Sequence, residues 1–165
     1  PFFVRWPGKV PAGRVSNEIV HIVDLFTTVA RVGGAEVPKD RPIDGVDQLD
    51  FFLGKQDTSN REGFPAYVAD RLSAVKWRNW KVHFIWQEGM YDTPQKLALP
   101  KVVNLLTDMK EERDVAAKTS WVIDPAVRIA GELEASLNAY FSPSWTAFQA
   151  DRGRDFSVIV DSVSV

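Results

Sequence analysis

Phe2-Phe3-Val4 is an uninterrupted apolar run closed by Trp6-Pro7-Gly8, the pattern of a strand covered on both faces and ended by a turn. A strand of that kind sits inside a sheet with layers packed above and below it, and parallel sheets so covered come with crossover helices. The residues that follow do not supply a full set of such neighbours. The expectation is that Pro1 is an interior point of a longer polypeptide, and that residues 2–4 are the last core strand of a domain whose body lies upstream.

The 165-residue chain has room for one domain with a real core, and is small for a complete enzyme of two layers plus an appendage. Its 45% hydrophobic and 25% charged content is globular rather than disordered. Lys and Arg number 20 against 22 Asp and Glu, a net charge of −2 without long single-sign runs. Nucleic acid is therefore not the expected partner, since binding it rests on a basic surface. No segment is apolar for long enough to cross a bilayer as a helix. With no cysteine, disulfides, thiolate metal sites and a cysteine nucleophile are excluded within these residues.

Residues 7–17 form a loop rich in Pro and Gly, and residues 18–23 lead in extended form to Asp24, placed to cap a helix. Leu25, Phe26, Val29 and Val32 recur at helical spacing, and Gly33-Gly34 supplies the stop. The expected helix packs by its Leu and Phe face. After a loop at 36–46, Asp47 is placed to cap a short helix carrying Leu49, Phe52 and Leu53, stopped by Gly54. Asp44, Asp47 and Asp50 fall three residues apart, a spacing that raises a hard-cation site. Turn and cap roles already account for the first two, and Asp50 can face water. No metal site is assigned.

Three strands follow at 64–68, 72–77 and 80–86, rich in aromatic and β-branched residues. Arg78-Asn79 reads as a two-residue hairpin loop in which Asn79 takes the positive φ. Trp77 and Trp80 flank it, and with Trp86 they raise the possibility of an aromatic platform for a sugar or aryl group. Cross-strand aromatic pairs also stabilise small sheets, so packing competes with that role. His21 and His83 are the only histidines; they lie far apart in sequence, and neither is assigned to catalysis. A further strand is expected at 100–106 and an exposed charged stretch at 108–118. The next helix has Asp124 as cap and Pro125 at its first position, with Ala126, Ile129, Ala130, Leu133, Leu137 and Tyr140 on one face. Arg128 and Glu132 form an i, i+4 pair on the other side. Residues 156–165 read as a strand.

Residues 1–13, His21-Ile22-Val23-Asp24-Leu25-Phe26-Thr27-Thr28, Arg41-Pro42-Ile43-Asp44-Gly45-Val46-Asp47, residues 74–83 and Asn104-Leu105-Leu106-Thr107-Asp108 occur in this order with ordinary spacings. As a set they resemble the C-terminal portion of the type I sulfatases, the arylsulfatase-like members of the alkaline phosphatase superfamily. At Thr27 the family commonly has Pro. The resemblance implies an α/β to α+β fold, in which residues 1–55 end an alkaline-phosphatase-like α/β catalytic core. Residues 56–165 would then be a C-terminal subdomain, a small antiparallel sheet packed by a C-terminal helix.

The function so implied is hydrolysis of small-molecule or carbohydrate sulfate esters by an intact enzyme that uses a calcium ion and a formylglycine. Formylglycine arises in a Cys/Ser-x-Pro/Ala-x-Arg motif, and that motif is absent here. No catalytic residue is therefore carried over onto this chain, and its implied partner is the upstream catalytic part of the same protein. Trp77 and Trp80, or the loop at 88–93, are candidates for the substrate rim. Export, periplasmic or secreted, is the compartment towards which the resemblance inclines. Two other readings stand beside this one: a phosphoester hydrolase or transferase of the same superfamily, and a non-catalytic carbohydrate-binding or assembly module.

Overall fold

The structure, a computed structural model, describes the backbone of residues 2–89 and 91–152 and the side chains as far as Asn138. The strand expected at 156–165 and the Tyr140 side chain lie outside the described residues. At the centre is a four-stranded antiparallel meander, β1 (Gly63–Val68), β2 (Arg71–Trp77), β3 (Trp80–Trp86) and β4 (Gln95–Asn104), in spatial order β1-β2-β3-β4. The first three strands form within a residue of the positions expected from their alternation. β4 begins at Gln95 rather than residue 100, and Pro100 falls between the paired residues Lys96 and Lys101 on this edge strand, where its missing N–H interrupts no ladder.

Trp77 and Trp80 pair across the hairpin, as expected. The positive φ, however, belongs to Arg78 (φ 49) and not to Asn79. The Arg78 N–H donates to the Glu62 carbonyl at 2.8 Å, and the Asn79 carbonyl accepts from the Leu105 N–H at 2.8 Å. The neighbouring segments dictate the turn, overriding the side-chain preference that favoured Asn.

Register sorts the sheet into two faces. On one, Val75, Val82 and Val102 lie in a row and are fully buried beneath Val122, Ala126, Ile129 and Ala130. Each buried Val contributes about 1.5–3 kcal/mol relative to leaving it in water. The last three covering residues come from α4 (Ile123–Arg152), preceded by α3 (Ala116–Thr119) and a 3-10 turn at Ser120–Val122. This is the helix expected from its apolar stripe, and the Arg128–Glu132 pair forms at 2.8 Å. It starts at Ile123, which puts Asp124 and Pro125 two positions further into the first turn than expected.

Before the sheet lie α1 (Asp24–Val32) and α2 (Leu49–Phe52). Residues 2–6 join no strand among the described residues, and Phe3 is 86% exposed; the neighbours expected for them lie outside this chain. Two other expectations fail here. Asp24 is not the cap of α1 but its first helical residue, following Val23. And α1 buries Asp24 and Thr28, while Phe26, Val29 and Val32 face outward. In α2 the buried ring is Phe51, one position before the expected Phe52.

Candidate functional site

The other face of the sheet carries Ala74, His83 and Lys101 in one row and Phe64, Lys76, Lys81 and Val103 in the next. A register irregularity between His83 and Ile85 breaks the alternation of β3, and the Trp86 ring meets His83 edge to face at 5.1 Å. Over this face lies the loop after β4, and Glu111 from that loop is the hub of the cluster. Lys81 Nζ donates to both Glu111 carboxylate oxygens at 2.7 and 2.9 Å. His83 Nε2 lies 2.7 Å from Oε2. Lys101 Nζ donates to the Glu111 carbonyl at 2.7 Å and stands 3.3 Å over the Trp86 ring. The loop is held at a second point by Asp114 Oδ1, which accepts from the Val102 and Ala116 N–H groups. A cleft of about 300 Å³ opens beside these groups, lined also by Ser73, Gln87 and Met109.

Charge states follow from the surroundings. Burial alone would raise the Glu111 carboxyl, but the hydrogen bond and charge of Lys81, aided by His83, outweigh it and hold Glu111 below its ordinary range. Burial, then the positive charge of Lys81, pushes His83 down despite Glu111. Near neutrality His83 is thus uncharged, and since an ionised carboxylate only accepts, the imidazole carries its proton on Nε2. Two donors of β3 converge on the Glu111 carboxylate and one of β4 on its backbone carbonyl, and the arrangement is a clamp that ties the loop to the sheet.

A second polar cluster ties α1 to the start of the sheet. The Arg61 guanidinium holds the fully buried Asp24 carboxylate, Nε at 2.9 Å and Nη2 at 2.6 Å. The same carboxylate accepts from the N–H groups of His21 and Val46 at 2.9 and 3.0 Å. Buried Thr28 Oγ1 accepts from the Gln48 N–H at 3.0 Å, and Gln48 Oε1 accepts from the Asn60 N–H at 3.0 Å.

Trp77 and Trp80 lie on the α4 side of the sheet, away from the His83 cleft, and both pack edge-on against Trp121 at 5.9 and 5.7 Å. Asp44, Asp47 and Asp50 are each engaged by a donor. Asp47 and Asp50 pair with Arg31, and Asp44 accepts from Ser136 Oγ at 2.6 Å. Among the described residues no group of three or more His, Cys, Asp or Glu side chains could hold a metal ion, and the chain has no cysteine. The described residues therefore offer no ligand set for a calcium ion. Glu111 and Arg61 were missed in sequence because each acts through a partner about 30 or more residues away. The alternation of Lys81 and His83 on one strand face was the legible part of that signal.

No family model matches the chain. It is 42% identical over 94 residues to steryl-sulfatase of Rattus norvegicus, covering 57% of this chain and 16% of that protein. Over 84 residues it is 44% identical to N-acetylgalactosamine-6-sulfatase of Canis lupus familiaris, covering 51% of this chain and 16% of that one. The crystal structure of the PsFucS1 sulfatase from Pseudoalteromonas sp. superimposes with a TM-score of 0.72 at 25% identity, over 82% of this chain and 29% of that one. The chain is similar in sequence and fold to a segment of sulfatases. The segment spans about a sixth of the length of the curated sulfatases it matches. Its antiparallel sheet and long helix are the fold shared with the solved sulfatase.

Proposed function

We propose that this segment is the C-terminal portion of an enzyme that hydrolyses sulfate esters, with its nucleophile and metal ligands on residues outside this chain. The observation that carries this reading is identity of 42 and 44% to two sulfatases. They are named for different esters, a steryl sulfate and an N-acetylgalactosamine 6-sulfate, so the similarity speaks to the bond broken and not to the alcohol released. Residues 1–55 then close the catalytic α/β domain and residues 56–165 form the C-terminal subdomain. The full polypeptide would use a calcium ion to polarise a sulfuryl oxygen and a formylglycine to attack sulfur. The segment supplies neither, and contributes scaffold and a wall of the cleft, with Trp77 and Trp80 as rim candidates.

The test is the full-length product of the gene, assayed with 4-nitrophenyl sulfate and 4-nitrophenyl phosphate. Turnover of the sulfate, abolished by chelation and accompanied by an upstream peptide with the Cys/Ser-x-Pro/Ala-x-Arg motif, is the expected result. Turnover of the phosphate alone would transfer the protein to the phosphoester hydrolases of the superfamily. Turnover of neither would favour a binding or assembly module.

A further inference from the structure

Glu111 brings its carboxylate to the sheet from a left-handed backbone conformation (φ 62). A residue with a Cβ avoids that conformation unless its surroundings impose it, and such residues gather at clamps and switches. Apolar packing near it is slight, with Leu106 67% and Met109 87% exposed. The polar contacts of Glu111 itself impose it instead: the carboxylate on Lys81 and His83, and the carbonyl on Lys101.

From the side of the sheet, the same contacts form a receptor for an anion. His83 and Lys101 are cross-strand partners, and Lys81 lies two residues along β3 on the same face. Lys76 stands directly opposite Lys81 and makes no ion pair among the described residues. Like charges placed in this way repel, and Glu111 is the carboxylate that offsets them. In a chain of net charge −2, this face thus holds a positive excess and three side-chain donors that converge on one residue. Such donors take carboxylate, sulfate and phosphate oxygens alike.

We propose that Lys81, His83 and Lys101 form a binding site for a tetrahedral oxyanion, sulfate or phosphate, that Glu111 occupies in cis, and that the anion displaces Glu111 and frees the loop at 105–113. The site goes beyond the sulfatase reading and does not depend on it. The loop is anchored at both ends, by Asp114 on the Val102 and Ala116 N–H groups and by the Leu105 N–H on the Asn79 carbonyl, so its middle can leave while its ends stay. Departure relieves the left-handed backbone at Glu111, which weakens the internal competitor. A tethered group on a short loop competes at millimolar effective concentration, within reach of a free anion. The cleft of about 300 Å³ beside the cluster gives that anion an entry.

Hydrogen exchange followed by mass spectrometry on the full-length protein reads the loop as a peptide spanning 105–113. Sodium sulfate at tens of millimolar should speed exchange there several-fold over sodium chloride of equal ionic strength. Equal exchange in the two salts overturns the proposal. Glu111→Ala empties the site without altering a donor, so its loop should exchange fast in either salt, and calorimetry should find sulfate bound about tenfold more tightly than by the unsubstituted protein. Adding Lys81→Met should abolish that gain; a gain that survives puts the anion elsewhere and overturns the proposal. If Glu111→Ala does not fold, the comparison of salts on the unsubstituted protein decides alone. Galactose 6-sulfate in place of the inorganic ion identifies the source: the ligand is an ester-bound sulfate if the sugar acts at the lower concentration and the free ion if it does not, and both results uphold the site. Release of the loop by sulfate in a protein without aryl sulfatase activity defeats the functional reading and leaves the site standing.

Discussion

Asp24 is a carboxylate without access to water, at the start of a helix and surrounded by donors. Burial would raise its pKa, but Arg61 and the Val46 and His21 N–H groups together hold it below its ordinary value. Truncation of Arg61 to Ala leaves that charge uncompensated and should cost about 3–5 kcal/mol, read from urea unfolding. Because the folded pKa is depressed, the stabilisation from Asp24 is present above the ordinary carboxylate value and is lost as pH falls through the folded one. His83 gives a second, separate window. Its folded pKa also lies below the ordinary value of 6.5, so the unfolded chain takes up this proton first and stability declines as pH drops below about 6.5. Replacement by Gln should flatten the urea midpoint between pH 7.5 and 5.5. Thr27 offers the opposite case, a buried hydroxyl with no hydrogen-bond partner among the described residues. Thr27→Val keeps the shape, removes the orphan and should raise stability by about 1 kcal/mol in the same assay.

Strands and helices here are joined at points of close approach. Gly63 opens β1 opposite Trp77, and a methyl group there would meet the Lys76 carbonyl and the Ile129 Cδ1 atom, the latter at 2.8 Å. Gly63→Ala should therefore push α4 off the sheet and lower the thermal midpoint, a cost of about 1–3 kcal/mol from overpacking. The hairpin shows the same dominance of neighbours over local preference, since pairing to Glu62 and Leu105 places Arg78 at positive φ beside an Asn that would accept it more easily. The loop after β4 is held by Glu111 and Asp114 as well as by the packing of Val115 on the core, and its charged composition reflects contacts made with the sheet.

At the scale of the whole molecule, the proposed function gives the meander packed by one long helix the part of a supporting element. The 165 residues expressed alone should show no turnover of 4-nitrophenyl sulfate above buffer, while the full-length protein turns it over. Measurable hydrolysis by the isolated segment would place a nucleophile within it and undo the reading of its His, Lys and Glu cluster as a clamp.

The elements themselves were legible in sequence. Alternating β-branched and aromatic residues at 64–86 and the apolar stripe from Ala126 to Leu137 are local patterns, and each formed close to where its period put it. The sulfatase resemblance was legible too, as an ordered set of short landmarks. What only the tertiary structure decided was direction and partnership: that α1 turns its polar face inward, that residues 2–4 find no strand to pair with among the described residues, and that Glu111 reaches back to Lys81 and His83. Periodicity states which residues share a face, but not what that face meets. A carboxylate such as Asp24 is equally suited to capping a helix in water and to pairing with a buried arginine, and only the arrival of Arg61, 37 positions along the chain, selects between them.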